Sequence, residues 1–211
     1  MQSALKNIEF FSLQRHIINH EKIFFCLILV LSFQSLVKAE DISDFEIEGM
    51  SINKSILDYM SVNEVLDNTL PYFETKRKYY ITGIVSNLKL YDQVEIYLKS
   101  NDKKYLIKSI IAGLFIDDLD QCLKKKKEIV KDLDQIFSNI KKMSGSKKHE
   151  ADPTGKSIHY IDQYNLGYPN HIRVECTQFS DDMINSGMAQ NSLNVVVMTK
   201  EINDWIASGY K

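Results

Sequence analysis

The chain reads as an α+β fold: an antiparallel sheet of about six strands with one long helix packed on it, in the order α-βββ-α-βββ. Three observations predict it. Apolar residues recur at period two over 79–116 and again over 158–199, with turn residues between the runs. A stripe at helical spacing, Leu119, Leu123, Val130, Leu133, Phe137 and Ile140, separates the two blocks. No regular strand–helix–strand alternation occurs, which argues against a doubly wound parallel sheet.

The elements follow in order. The acidic stretch 40–48 reads as an extended lead-in. After Gly49-Met50-Ser51, the residues Ile52, Ile56, Leu57 and Met60 share one helical stripe and predict a first helix. Ser61-Val62-Asn63-Glu64 fits a capping box, in which Ser caps the third amide and Glu reaches back, so a second short helix runs through Val65 and Leu66. Three strands are expected over 79–85, 90–98 and 105–116. In the middle one Val94, Ile96 and Leu98 alternate with Gln93, Glu95, Tyr97 and Lys99, the pattern of a half-buried strand. Ser100-Asn101-Asp102 turns it into the next, which makes an antiparallel meander. Asp117, Asp118 and Asp120 suit the positive end of the long helix, and Cys122 lies beside its apolar stripe. The lysines from Lys124 to Lys127 wrap around that helix rather than forming one face. Ser144-Gly145-Ser146 is expected to stop it, with a polar loop through Lys156. Strands over 158–164, 171–179 and 193–199 and a short helix at Asp204-Trp205-Ile206 complete the chain.

Composition narrows the function. The 211 residues hold 26 Lys plus Arg against 28 Asp plus Glu, a formal charge of −2, with 44% hydrophobic residues. That balance excludes a strongly basic nucleic-acid module and a wholly disordered chain. Only Arg15, Arg77 and Arg173 are Arg, so bidentate forks for phosphate or carboxylate are few.

The N-terminal segment carries the clearest signal. The apolar stretch 23–37 (IFFCLILVLSFQSLV) follows Lys6, Arg15 and Lys22 and ends in Val37-Lys38-Ala39 before Glu40-Asp41. This is the layout of a secretory signal peptide cleaved between Ala39 and Glu40; at 15 residues it is short for a spanning helix. The alternatives are an uncleaved signal anchor, because the segment before the apolar stretch is long and Gln34 weakens its end, and a buried core helix. Cys26 lies near the start of the apolar run and so does not fit a lipoprotein site. The expected organisation is therefore 1–39 as signal peptide or anchor and 40–211 as a single domain, located in the periplasm or secreted, or else held at the inner membrane. Residues 40–211 carry a net charge of −4, poorly matched to nucleic acid or an anionic lipid surface. Export leaves Cys122 and Cys176, an even pair in an oxidising compartment, and a structural disulfide is expected, with two buried thiols as the alternative. Neither sits in a C-x-x-C motif, which speaks against redox or metal chemistry.

The remaining motifs have structural explanations. Gly155-Lys156-Ser157 ends like a phosphate-binding loop, but Glu150 occupies the place of the first glycine and a strand follows where a helix is required. His149, Glu150, Asp152, His159 and His171 match no zinc spacing. Ser157 and His159 share a strand face without a nucleophile elbow or an orienting acid. Asp117-Asp118 and Asp181-Asp182 read as helix-start and loop acids, and Tyr72, Phe73, Tyr79 and Tyr80 as core and sheet residues. No catalytic, cofactor-binding or metal-ligating residue is assigned, and the balance leans away from an enzyme. The expected function is a non-enzymatic binding or envelope-associated module, its partner unknown but another envelope protein being one candidate. The alternatives are a small hydrolase-like enzyme whose site forms only in three dimensions and an inner-membrane-tethered protein.

The run Asp44-Phe45-Glu46-Ile47-Glu48-Gly49-Met50-Ser51-Ile52 resembles the mature N-terminus of a family of small exported proteins, without assigned activity, from AT-rich marine bacteria. Ala151-Asp152-Pro153-Thr154-Gly155-Lys156-Ser157 and Asn203-Asp204-Trp205 are similar to further segments of that family. Its members carry Gly-Asp where this chain has Asn53-Lys54. The resemblance implies export and no particular chemistry. More loosely, a Gly-Met-Ser segment opening a helix before antiparallel strands is similar to small periplasmic modules that bind other proteins, a likeness of fold only.

Overall fold

The structure, a computed structural model, describes residues 42–71, 77–167, 170–187 and 189–210. The chain divides into two units, Met1–Lys38 and Ala39–Lys211, and all described residues belong to the second. The expected signal segment, the Ala39–Glu40 junction, and the Tyr72 and Phe73 side chains lie outside the described residues. Among the described residues no helix is long and apolar enough to cross a membrane.

The fold is α+β. A hairpin of β1 (Glu46–Ile47) and β2 (Met50–Ser51) comes first, followed by α1 (Val62–Asp67). Strands β3 (Tyr79–Ile84), β4 (Gln93–Lys99) and β5 (Ile107–Phe115) form a meander, and α2 (Leu119–Ile136) follows. A second meander comprises β6 (Lys142–Lys148), β7 (Ile158–Asn165) and β8 (His171–Gln178). The short α3 (Asp181–Asn185) leads into β9 (Ser192–Met198), and α4 (Lys200–Ala207) closes the domain. The seven longer strands make one antiparallel sheet in the order β3-β4-β5-β9-β8-β7-β6. The last strand in sequence, β9, thus lies between the two meanders and joins them.

Two expectations are corrected. The first helix does not form: Met50 and Ser51 pair back to Ile47 and Glu46 through Glu48 and Gly49, which take φ 52° and 80°. Asn53 also lies at φ 66°, and only Ile56–Asp58 coils, as one 3-10 turn. Ile52 and Ile56 are buried all the same, because Asn53 N–H donates to Ile107 C=O and Ile56 N–H to Tyr105 C=O. The apolar spacing recorded burial correctly; backbone pairing with β5, not helix formation, produces it. Second, α2 ends at Phe137, and Lys142–Lys148 is a seventh strand rather than loop. Its sequence, KMSGSKK, has no apolar alternation because Met143 to Lys148 are exposed at the edge of the sheet.

The capping box is present: the Ser61 side chain accepts from Glu64 N–H and the Glu64 carboxylate from Ser61 N–H. Asp118 caps α2 by accepting from Gln121 N–H. The buried stripe of α2 consists of Cys122, Val130 and Leu133 and packs on β8 and β9. Beneath it lie Ile172, Val174 and Cys176 of β8 and Leu193, Val195 and Val197 of β9, all on one face as alternation requires. Cys122 and Cys176 form a disulfide with their Cα atoms 6.0 Å apart, fastening the first turn of the helix to the middle of β8. Closing its 54-residue separation stabilises the fold by about 4 kcal/mol in the chain-entropy account. At the other end of the helix, Tyr164 O–H reaches Asp134 Oδ1 at 2.7 Å, and Asp134 pairs with Lys142 at 2.8 Å.

The opposite face of the sheet has its own, smaller core. Ile202 and Trp205 of α4 cover Tyr79, Ile81, Tyr97, Val196 and Met198. The Trp205 ring meets that of Tyr79 edge-on, with centroids 5.2 Å apart.

Candidate functional site: the polar half of one sheet face

The apolar patch under α4 stops at Tyr97, Ile111 and Val196. Strand alternation and register give the positions beyond it. One row across the sheet runs Glu95, Ile111, Val196, Arg173, Gln163; the next runs Gln93, Gly113, Asn194, Glu175, Ile161. A third ends in Thr177 and His159. The same sheet face is therefore apolar at one end and mostly polar at the other.

The polar half is ordered by contacts among its own side chains. Glu175, 6% exposed, lies 3.0 Å from Arg173 Nε and 3.9 Å from His159 Nδ1 through one carboxylate oxygen. His159 Nδ1 meets Thr177 Oγ1 at 2.8 Å across the β7–β8 ladder. The His149 ring stacks on that of His159 at 4.8 Å and against Phe179 at 5.0 Å. Burial first, and then the electrostatic influence of His149, Lys147 and Arg173, pulls His159 down to about 4, so its imidazole is neutral at pH 7. At the centre, Gly113 leaves room for its neighbours: a Cβ there would lie 3.0 Å from Asn194 Oδ1 and 3.3 Å from Gln93 Cγ. Beside them stands Glu95. Its carboxylate makes no hydrogen bond or ion pair among the described residues, and burial raises its pKa above the ordinary value.

The motifs singled out in the sequence are placed elsewhere and do structural work. Asp152 Oδ2 accepts from Ser157 O–H at 2.6 Å and Ser157 N–H at 2.8 Å, while Oδ1 accepts from Thr154 N–H. The Ser157 hydroxyl, foremost among these donors, holds the Asp152 carboxyl well below the usual range. Gly155, at φ 65°, closes a turn on Asp152 within the 149–157 loop, so Gly-Lys-Ser belongs to a turn. Ser157 is buried and its Oγ also accepts from Ser180 N–H, whereas His159 faces Thr177; the two form no nucleophile–base pair. Of the five residues weighed as metal ligands, the fold stacks only His149 and His159, and no group of three or more His, Cys, Asp or Glu among the described residues could hold a metal. Asp181 and Asp182 open α3 behind the Ser180 cap. An open hollow of about 770 Å³ at the start of α2 contains Asp92, Asp117 and Asp118, but Asp92 is engaged by Phe115 N–H and Asp118 caps the helix.

Glu95, Arg173, Glu175 and Asn194 belong to no recognisable site motif in the sequence. The signal was the polar alternate of two strands, Gln93-x-Glu95 in β4 and Arg173-x-Glu175-x-Thr177 in β8. What sequence lacks is the strand order that puts both sets on the same face. Compared with family models, curated proteins and solved structures, the chain matches none.

Proposed function

We propose that this is an exported, non-enzymatic binding module of the cell envelope, and that its ligand or partner docks on the polar half of the sheet face around Glu95, Asn194, Glu175 and Arg173. The observation that carries this reading is Glu95: a half-buried carboxylate with no hydrogen-bond partner among the described residues, on the same face as the Arg173–Glu175 pair. A desolvated, unbonded carboxylate is unfavourable for folding and becomes favourable when a donor or cation completes it. Along the same two rows Gln93, Asn194 and Gln163 offer both donors and acceptors, which suits an extended polar ligand carrying an amine or several hydroxyl or amide groups. Export is supported by the 23–37 apolar stretch with its Ala39–Glu40 junction and by the Cys122–Cys176 disulfide, which persists in an oxidising compartment.

The test is made on the full-length chain expressed in a bacterial host. A photo-crosslinking amino acid at Gln93 or Gln163 should capture an envelope component after irradiation, and Glu95→Gln or Arg173→Ala should abolish capture. The same crosslinker at Lys131 on α2 serves as control. Mass spectrometry of the purified chain should find Glu40 as the first residue; a chain retaining residues 1–39 would instead support tethering at the inner membrane.

A further inference from the structure

We propose that β6 is a docking edge for an extended, carboxylate-rich segment of a partner polypeptide, which would join the sheet as an eighth strand. This deepens the binding-module reading, on which it rests, with a second surface and a partner chemistry.

The two ends of the seven-stranded sheet differ. At the β3 end, residues 68–70 cover the edge: Thr69 bridges Thr82, Leu70 N–H donates to Ile81 C=O, and Gly83 N–H donates to Asn68 C=O. At the β6 end no described segment pairs with the outer side of the strand. The inner ladder from Lys142↔Tyr164 to Lys148↔Ile158 runs seven residues without a bulge. His149 N–H donates to Ser157 C=O, which identifies 149/157 as a hydrogen-bonded pair; by alternation the outward N–H and C=O groups belong to Lys142, Ser144, Ser146 and Lys148. The backbone at the centre is accessible: Ser144, Gly145 and Ser146 are exposed, and a Cβ added at Gly145 would meet nothing within 4 Å.

Charge then selects the partner. Lys141, Lys142, Lys147 and Lys148 flank that centre, with no acid between 141 and 148. Of the four, Lys142 alone is ion-paired among the described residues, to Asp134. The stretch 121–165 carries ten lysines against six acids, +4 inside a domain of net charge −4. Lysines at an edge are a common device against edge-to-edge association, often reinforced by a proline or a bulge. Here neither is present. Antiparallel pairing of two copies of β6 would set lysine against lysine, so the arrangement rejects self-association while favouring a strand of opposite charge. Strand addition draws affinity from the main chain and specificity from such flanking side chains.

The probe is a seven-residue peptide of alternating glutamate and valine, titrated to millimolar concentration into the 15N-labelled domain released after Ala39. Its controls are the same peptide with glutamine or lysine in place of glutamate. The acidic peptide should shift the amides of Ser144, Ser146 and Lys148 and slow their exchange. The glutamine peptide should bind about 10-fold more weakly, and added salt should weaken the acidic one, as for exposed charges. Ser144→Pro removes an outward N–H that the β6–β7 ladder does not use, a position where proline is tolerated, and should abolish the shifts while leaving the fold. Should that variant misfold, Lys147→Glu with Lys148→Glu supplies the same test, losing the acidic peptide and gaining the lysine one. Equal binding of all three peptides, shifts confined to α2, or no binding at all would overturn the proposal. So would binding of anionic lipid vesicles in place of the peptide, which would mark a polyanion patch. Capture at Gln93 that survives Ser144→Pro leaves the polar-face reading standing on its own, so the two failures are distinguishable.

Discussion

The two faces of the sheet are built to different ends. Under α2 the face is apolar along β5, β9 and β8, sealed by a disulfide and an aromatic–carboxylate–lysine chain, with Ile172, Val174 and Cys176 wholly buried. Under α4, among the described residues, only half the face is covered by a helix. Where the Trp205 packing ends, polar groups begin, among them a carboxylate that burial penalises. A fold selected for stability alone would extend the second helix or place apolar residues at Glu95 and Asn194. The α2 side thus carries most of the core and the disulfide, while the other side joins a small apolar core to a polar half.

Breaking the sealed side should have the largest effect. Replacing Cys122 and Cys176 together with Ser is expected to remove about 4 kcal/mol, lowering the melting temperature by roughly 10 °C for a domain of this size; calorimetry checks it. Next comes the closed half of the opposite face. Ile202→Ala, at a residue with 0% exposure, should cost about 3 kcal/mol through lost burial and the cavity left behind, measured by urea unfolding. Smaller again is the acid effect on the polar half. His159 has a folded pKa pulled below that of the unfolded chain, so the unfolded state binds more protons between about 4 and 6.5. Stability should therefore be complete at pH 7 and fall as pH drops through that window, by about 1 kcal/mol once screening at this partly exposed ring is allowed for. His159→Gln should flatten that part of the pH profile.

How much of this could be read in the sequence depends on where each signal lives. The α2 stripe, the Ser61 capping box and the Cys122–Cys176 pairing rest on local spacing and on the chemistry of cysteine, and all three stand in the fold. The strand β6 was illegible because an edge exposed on both faces leaves no alternation to see.

Results

Sequence analysis

The chain reads as an α+β fold: an antiparallel sheet of about six strands with one long helix packed on it, in the order α-βββ-α-βββ. Three observations predict it. Apolar residues recur at period two over 79–116 and again over 158–199, with turn residues between the runs. A stripe at helical spacing, Leu119, Leu123, Val130, Leu133, Phe137 and Ile140, separates the two blocks. No regular strand–helix–strand alternation occurs, which argues against a doubly wound parallel sheet.

The elements follow in order. The acidic stretch 40–48 reads as an extended lead-in. After Gly49-Met50-Ser51, the residues Ile52, Ile56, Leu57 and Met60 share one helical stripe and predict a first helix. Ser61-Val62-Asn63-Glu64 fits a capping box, in which Ser caps the third amide and Glu reaches back, so a second short helix runs through Val65 and Leu66. Three strands are expected over 79–85, 90–98 and 105–116. In the middle one Val94, Ile96 and Leu98 alternate with Gln93, Glu95, Tyr97 and Lys99, the pattern of a half-buried strand. Ser100-Asn101-Asp102 turns it into the next, which makes an antiparallel meander. Asp117, Asp118 and Asp120 suit the positive end of the long helix, and Cys122 lies beside its apolar stripe. The lysines from Lys124 to Lys127 wrap around that helix rather than forming one face. Ser144-Gly145-Ser146 is expected to stop it, with a polar loop through Lys156. Strands over 158–164, 171–179 and 193–199 and a short helix at Asp204-Trp205-Ile206 follow.

Composition narrows the function. The 211 residues hold 26 Lys plus Arg against 28 Asp plus Glu, a formal charge of −2, with 44% hydrophobic residues. That balance excludes a strongly basic nucleic-acid module and a wholly disordered chain. Only Arg15, Arg77 and Arg173 are Arg, so bidentate forks for phosphate or carboxylate are few.

The N-terminal segment carries the clearest signal. The apolar stretch 23–37 (IFFCLILVLSFQSLV) follows Lys6, Arg15 and Lys22 and ends in Val37-Lys38-Ala39 before Glu40-Asp41. This is the layout of a secretory signal peptide cleaved between Ala39 and Glu40; at 15 residues it is short for a spanning helix. The alternatives are an uncleaved signal anchor, because the segment before the apolar stretch is long and Gln34 weakens its end, and a buried core helix. Cys26 lies near the start of the apolar run and so does not fit a lipoprotein site. The expected organisation is 1–39 as signal peptide or anchor and 40–211 as a single domain, located in the periplasm or secreted, or else held at the inner membrane. Residues 40–211 carry a net charge of −4, poorly matched to nucleic acid or an anionic lipid surface. Export leaves Cys122 and Cys176, an even pair in an oxidising compartment. A structural disulfide is expected, with two buried thiols as the alternative. Neither sits in a C-x-x-C motif, which speaks against redox or metal chemistry.

The remaining motifs have structural explanations. Gly155-Lys156-Ser157 ends like a phosphate-binding loop, but Glu150 occupies the place of the first glycine and a strand follows where a helix is required. His149, Glu150, Asp152, His159 and His171 match no zinc spacing. Ser157 and His159 share a strand face without a nucleophile elbow. Asp117-Asp118 and Asp181-Asp182 read as helix-start and loop acids, and Tyr72, Phe73, Tyr79 and Tyr80 as core and sheet residues. No catalytic, cofactor-binding or metal-ligating residue is assigned, and the balance leans away from an enzyme. The expected function is a non-enzymatic binding or envelope-associated module, its partner unknown but another envelope protein being one candidate. The alternatives are a small hydrolase-like enzyme whose site forms only in three dimensions and an inner-membrane-tethered protein.

The run Asp44-Phe45-Glu46-Ile47-Glu48-Gly49-Met50-Ser51-Ile52 resembles the mature N-terminus of a family of small exported proteins, without assigned activity, from AT-rich marine bacteria. Ala151-Asp152-Pro153-Thr154-Gly155-Lys156-Ser157 and Asn203-Asp204-Trp205 are similar to further segments of that family. Its members carry Gly-Asp where this chain has Asn53-Lys54. The resemblance implies export and no particular chemistry. More loosely, a Gly-Met-Ser segment opening a helix before antiparallel strands is similar to small periplasmic modules that bind other proteins, a likeness of fold only.

Overall fold

The structure, a computed structural model, describes residues 42–71, 77–167, 170–187 and 189–210. The chain divides into two units, Met1–Lys38 and Ala39–Lys211, and all described residues belong to the second. The expected signal segment, the Ala39–Glu40 junction and the Tyr72–Phe73 pair lie outside the described residues. Among the described residues no helix is long and apolar enough to cross a membrane.

The fold is α+β. A hairpin of β1 (Glu46–Ile47) and β2 (Met50–Ser51) comes first, followed by α1 (Val62–Asp67). Strands β3 (Tyr79–Ile84), β4 (Gln93–Lys99) and β5 (Ile107–Phe115) form a meander, and α2 (Leu119–Ile136) follows. A second meander comprises β6 (Lys142–Lys148), β7 (Ile158–Asn165) and β8 (His171–Gln178). The short α3 (Asp181–Asn185) leads into β9 (Ser192–Met198), and α4 (Lys200–Ala207) comes last. The seven longer strands make one antiparallel sheet in the order β3-β4-β5-β9-β8-β7-β6. The last strand in sequence, β9, thus lies between the two meanders and joins them.

Two expectations are corrected. The first helix does not form: Met50 and Ser51 pair back to Ile47 and Glu46 through Glu48 and Gly49, which take φ 52° and 80°. Asn53 also lies at φ 66°, and only Ile56–Asp58 coils, as one 3-10 turn. Ile52 and Ile56 are buried all the same, because Asn53 N–H donates to Ile107 C=O and Ile56 N–H to Tyr105 C=O. The apolar spacing records burial correctly; backbone pairing with the start of β5, not helix formation, produces it. Second, α2 ends at its cap Phe137, and Lys142–Lys148 is a seventh strand rather than a loop. Its sequence, KMSGSKK, has no apolar alternation because Met143 to Lys148 are all exposed at the edge of the sheet.

The capping box is present: the Ser61 side chain accepts from Glu64 N–H and the Glu64 carboxylate from Ser61 N–H. Asp118 caps α2 by accepting from Gln121 N–H. The buried stripe of α2 consists of Cys122, Val130 and Leu133, and the helix packs on β8 and β9. Beneath it lie Ile172, Val174 and Cys176 of β8 with Leu193, Val195 and Val197 of β9, all on one face as alternation requires. Cys122 and Cys176 form a disulfide with their Cα atoms 6.0 Å apart, fastening the first turn of the helix to the middle of β8. Closing a loop of 54 residues stabilises the fold by about 4 kcal/mol in the chain-entropy account. Towards the other end of the helix, Tyr164 O–H reaches Asp134 Oδ1 at 2.7 Å, and Asp134 pairs with Lys142 at 2.8 Å.

The opposite face of the sheet has its own, smaller core. Ile202 and Trp205 of α4 cover Tyr79, Ile81, Tyr97, Val196 and Met198. The Trp205 ring meets that of Tyr79 edge-on, with centroids 5.2 Å apart.

Candidate functional site: the polar half of one sheet face

The apolar patch under α4 stops at Tyr97, Ile111 and Val196. Strand alternation and register give the positions beyond it. One row across the sheet runs Glu95, Ile111, Val196, Arg173, Gln163; the next runs Gln93, Gly113, Asn194, Glu175, Ile161. A third ends in Thr177 and His159. The same sheet face is therefore apolar at one end and mostly polar at the other.

The polar half is ordered by contacts among its own side chains. Glu175, 6% exposed, lies 3.0 Å from Arg173 Nε and 3.9 Å from His159 Nδ1 through one carboxylate oxygen. His159 Nδ1 meets Thr177 Oγ1 at 2.8 Å across the β7–β8 ladder. The His149 ring stacks on that of His159 at 4.8 Å and against Phe179 at 5.0 Å. Burial first, and then the electrostatic influence of His149, Lys147 and Arg173, pulls His159 down to about 4, so its imidazole is neutral at pH 7. At the centre, Gly113 leaves room for its neighbours: a Cβ there would lie 3.0 Å from Asn194 Oδ1 and 3.3 Å from Gln93 Cγ. In the adjoining row stands Glu95. Its carboxylate makes no hydrogen bond or ion pair among the described residues, and burial raises its pKa above the ordinary value.

The motifs singled out in the sequence hold the fold together instead. Asp152 Oδ2 accepts from Ser157 O–H at 2.6 Å and Ser157 N–H at 2.8 Å, while Oδ1 accepts from Thr154 N–H. The Ser157 hydroxyl, foremost among these donors, holds the Asp152 carboxyl well below the usual range. Gly155, at φ 65°, closes a turn on Asp152 within the 149–157 loop, so Gly-Lys-Ser belongs to a turn. Ser157 is buried and its Oγ also accepts from Ser180 N–H, whereas His159 faces Thr177; the two form no nucleophile–base pair. Of the five residues weighed as metal ligands, the fold stacks His149 on His159. No group of three or more His, Cys, Asp or Glu among the described residues could hold a metal. Asp181 and Asp182 open α3 behind the Ser180 cap. An open hollow of about 770 Å³ at the start of α2 contains Asp92, Asp117 and Asp118, but Asp92 is engaged by Phe115 N–H and Asp118 caps the helix.

Glu95, Arg173, Glu175 and Asn194 belong to no recognisable site motif in the sequence. Their signal is the polar alternate of two strands, Gln93-x-Glu95 in β4 and Arg173-x-Glu175-x-Thr177 in β8. What the sequence lacks is the strand order that puts both sets on the same face. Compared with family models, curated proteins and solved structures, the chain matches none.

Proposed function

We propose that this is an exported, non-enzymatic binding module of the cell envelope, and that its ligand or partner docks on the polar half of the sheet face around Glu95, Asn194, Glu175 and Arg173. The observation that carries this reading is Glu95: a half-buried carboxylate with no hydrogen-bond partner among the described residues, on the same face as the Arg173–Glu175 pair. A desolvated carboxylate without a donor is unfavourable for folding and becomes favourable when a donor or cation completes it. Along the same two rows Gln93, Asn194 and Gln163 offer both donors and acceptors, which suits an extended polar ligand carrying an amine or several hydroxyl or amide groups. Export is supported by the 23–37 apolar stretch with its Ala39–Glu40 junction and by the Cys122–Cys176 disulfide, a bond that persists in an oxidising compartment.

The test is made on the full-length chain expressed in a bacterial host. A photo-crosslinking amino acid at Gln93 or Gln163 should capture an envelope component after irradiation, and Glu95→Gln or Arg173→Ala should abolish capture. The same crosslinker at Lys131, on the exposed side of α2, serves as control. Mass spectrometry of the purified chain should find Glu40 as the first residue; a chain retaining residues 1–39 would instead support tethering at the inner membrane.

A further inference from the structure

We propose that β6 is a docking edge for an extended, carboxylate-rich segment of a partner polypeptide, which joins the sheet as an eighth strand. This deepens the binding-module reading, on which it rests, with a second surface and a partner chemistry.

The two ends of the seven-stranded sheet differ. At the β3 end, residues 68–70 cover the edge: Thr69 bridges Thr82, Leu70 N–H donates to Ile81 C=O, and Gly83 N–H donates to Asn68 C=O. At the β6 end no described segment pairs with the outer side of the strand. The inner ladder from Lys142↔Tyr164 to Lys148↔Ile158 runs the length of β6 without a register shift. His149 N–H donates to Ser157 C=O, which identifies 149/157 as a hydrogen-bonded pair. By alternation the outward N–H and C=O groups belong to Lys142, Ser144, Ser146 and Lys148. The backbone at the centre is accessible: Ser144, Gly145 and Ser146 are exposed, and a Cβ added at Gly145 would meet nothing within 4 Å.

Charge then selects the partner. Lys141, Lys142, Lys147 and Lys148 flank that centre, with no acid between 141 and 148. Of the four, Lys142 alone is ion-paired among the described residues, to Asp134. The stretch 121–165 carries ten lysines against six acids, +4 inside a domain of net charge −4. Lysines at an edge are a common device against edge-to-edge association, often joined by a proline or a bulge. Here neither is present. Antiparallel pairing of two copies of β6 would set lysine against lysine, so the arrangement rejects self-association while favouring a strand of opposite charge. Strand addition draws affinity from the main chain and specificity from such flanking side chains.

The probe is a seven-residue peptide of alternating glutamate and valine, titrated to millimolar concentration into the 15N-labelled protein as the cell exports it. Its controls are the same peptide with glutamine or lysine in place of glutamate. The acidic peptide should shift the amides of Ser144, Ser146 and Lys148 and slow their exchange. The glutamine peptide should bind about 10-fold more weakly, and added salt should weaken the acidic one, as for exposed charges. Ser144→Pro removes an outward N–H that the β6–β7 ladder does not use, a position where proline is tolerated, and should abolish the shifts while leaving the fold. Should that variant misfold, Lys147→Glu with Lys148→Glu supplies the same test, losing the acidic peptide and gaining the lysine one. Equal binding of all three peptides, shifts confined to α2, or no binding at all would overturn the proposal. So would binding of anionic lipid vesicles in place of the peptide, which would mark a polyanion patch. Capture at Gln93 that survives Ser144→Pro leaves the polar-face reading standing on its own, so the two failures are distinguishable.

Discussion

The two faces of the sheet are built to different ends. Under α2 the face is apolar along β5, β9 and β8, sealed by a disulfide and a Tyr164–Asp134–Lys142 chain, with Ile172, Val174 and Cys176 wholly buried. Under α4, among the described residues, only half the face is covered by a helix. Where the Trp205 packing ends, polar groups begin, among them a carboxylate that burial penalises. Stability alone would favour apolar residues at Glu95 and Asn194 with a longer helix above them. The α2 side thus carries most of the core and the disulfide, while the other side joins a small apolar core to a polar half.

Breaking the sealed side should have the largest effect. Replacing Cys122 and Cys176 together with Ser is expected to remove about 4 kcal/mol, lowering the melting temperature by roughly 10 °C for a domain of this size; calorimetry checks it. Next comes the closed half of the opposite face. Ile202→Ala, at a residue with 0% exposure, should destabilise by about 3 kcal/mol through lost burial and the cavity left behind, measured by urea unfolding. Outside both faces, the Glu48 carboxylate accepts from the N–H groups of Lys89, Leu90 and Tyr91 and ties the first hairpin to the loop before β4. Glu48→Ala leaves those donors without their charged acceptor and should lower stability by about 2 kcal/mol.

Smaller again is the acid effect on the polar half. His159 has a folded pKa pulled below that of the unfolded chain, so the unfolded state binds more protons between about 4 and 6.5. Its contribution is fully present at pH 7 and is lost as pH falls through that window, by about 1 kcal/mol once solvent screening at this partly exposed ring is allowed for. His159→Gln should flatten that part of the stability–pH profile.

How much of this is legible in the sequence depends on where each signal lives. The α2 stripe, the Ser61 capping box and the Cys122–Cys176 pairing rest on local spacing and on cysteine chemistry, and all three stand in the fold. Strand β6 is illegible because an edge exposed on both faces leaves no alternation to see. The polar site is half legible: Gln93 and Glu95 read as the outward set of their strand, but their neighbours on that face come from β9 and β8, far along the chain. The short motif segments 44–52, 151–157 and 203–205 are fasteners. Glu48 and Gly49 make the first turn, Asp152 and Ser157 close the β6–β7 loop, and Trp205 fills the second core. Motifs of this kind mark where the backbone must turn or pack, and none of these residues belongs to the polar rows of β4, β9, β8 and β7.

The most direct test of the account is one variant read twice. Glu95→Leu puts an apolar side chain where a desolvated carboxylate now stands, and the melting temperature is compared with crosslinking at Gln93 in the envelope. The melting temperature should be unchanged or raised, because burial holds the Glu95 pKa above its ordinary value and penalises its charged form, and capture should be lost. A melting temperature lowered as far as by loss of the disulfide, or capture that persists in the variant, would show that Glu95 serves the fold and that the polar half-face is not the binding surface.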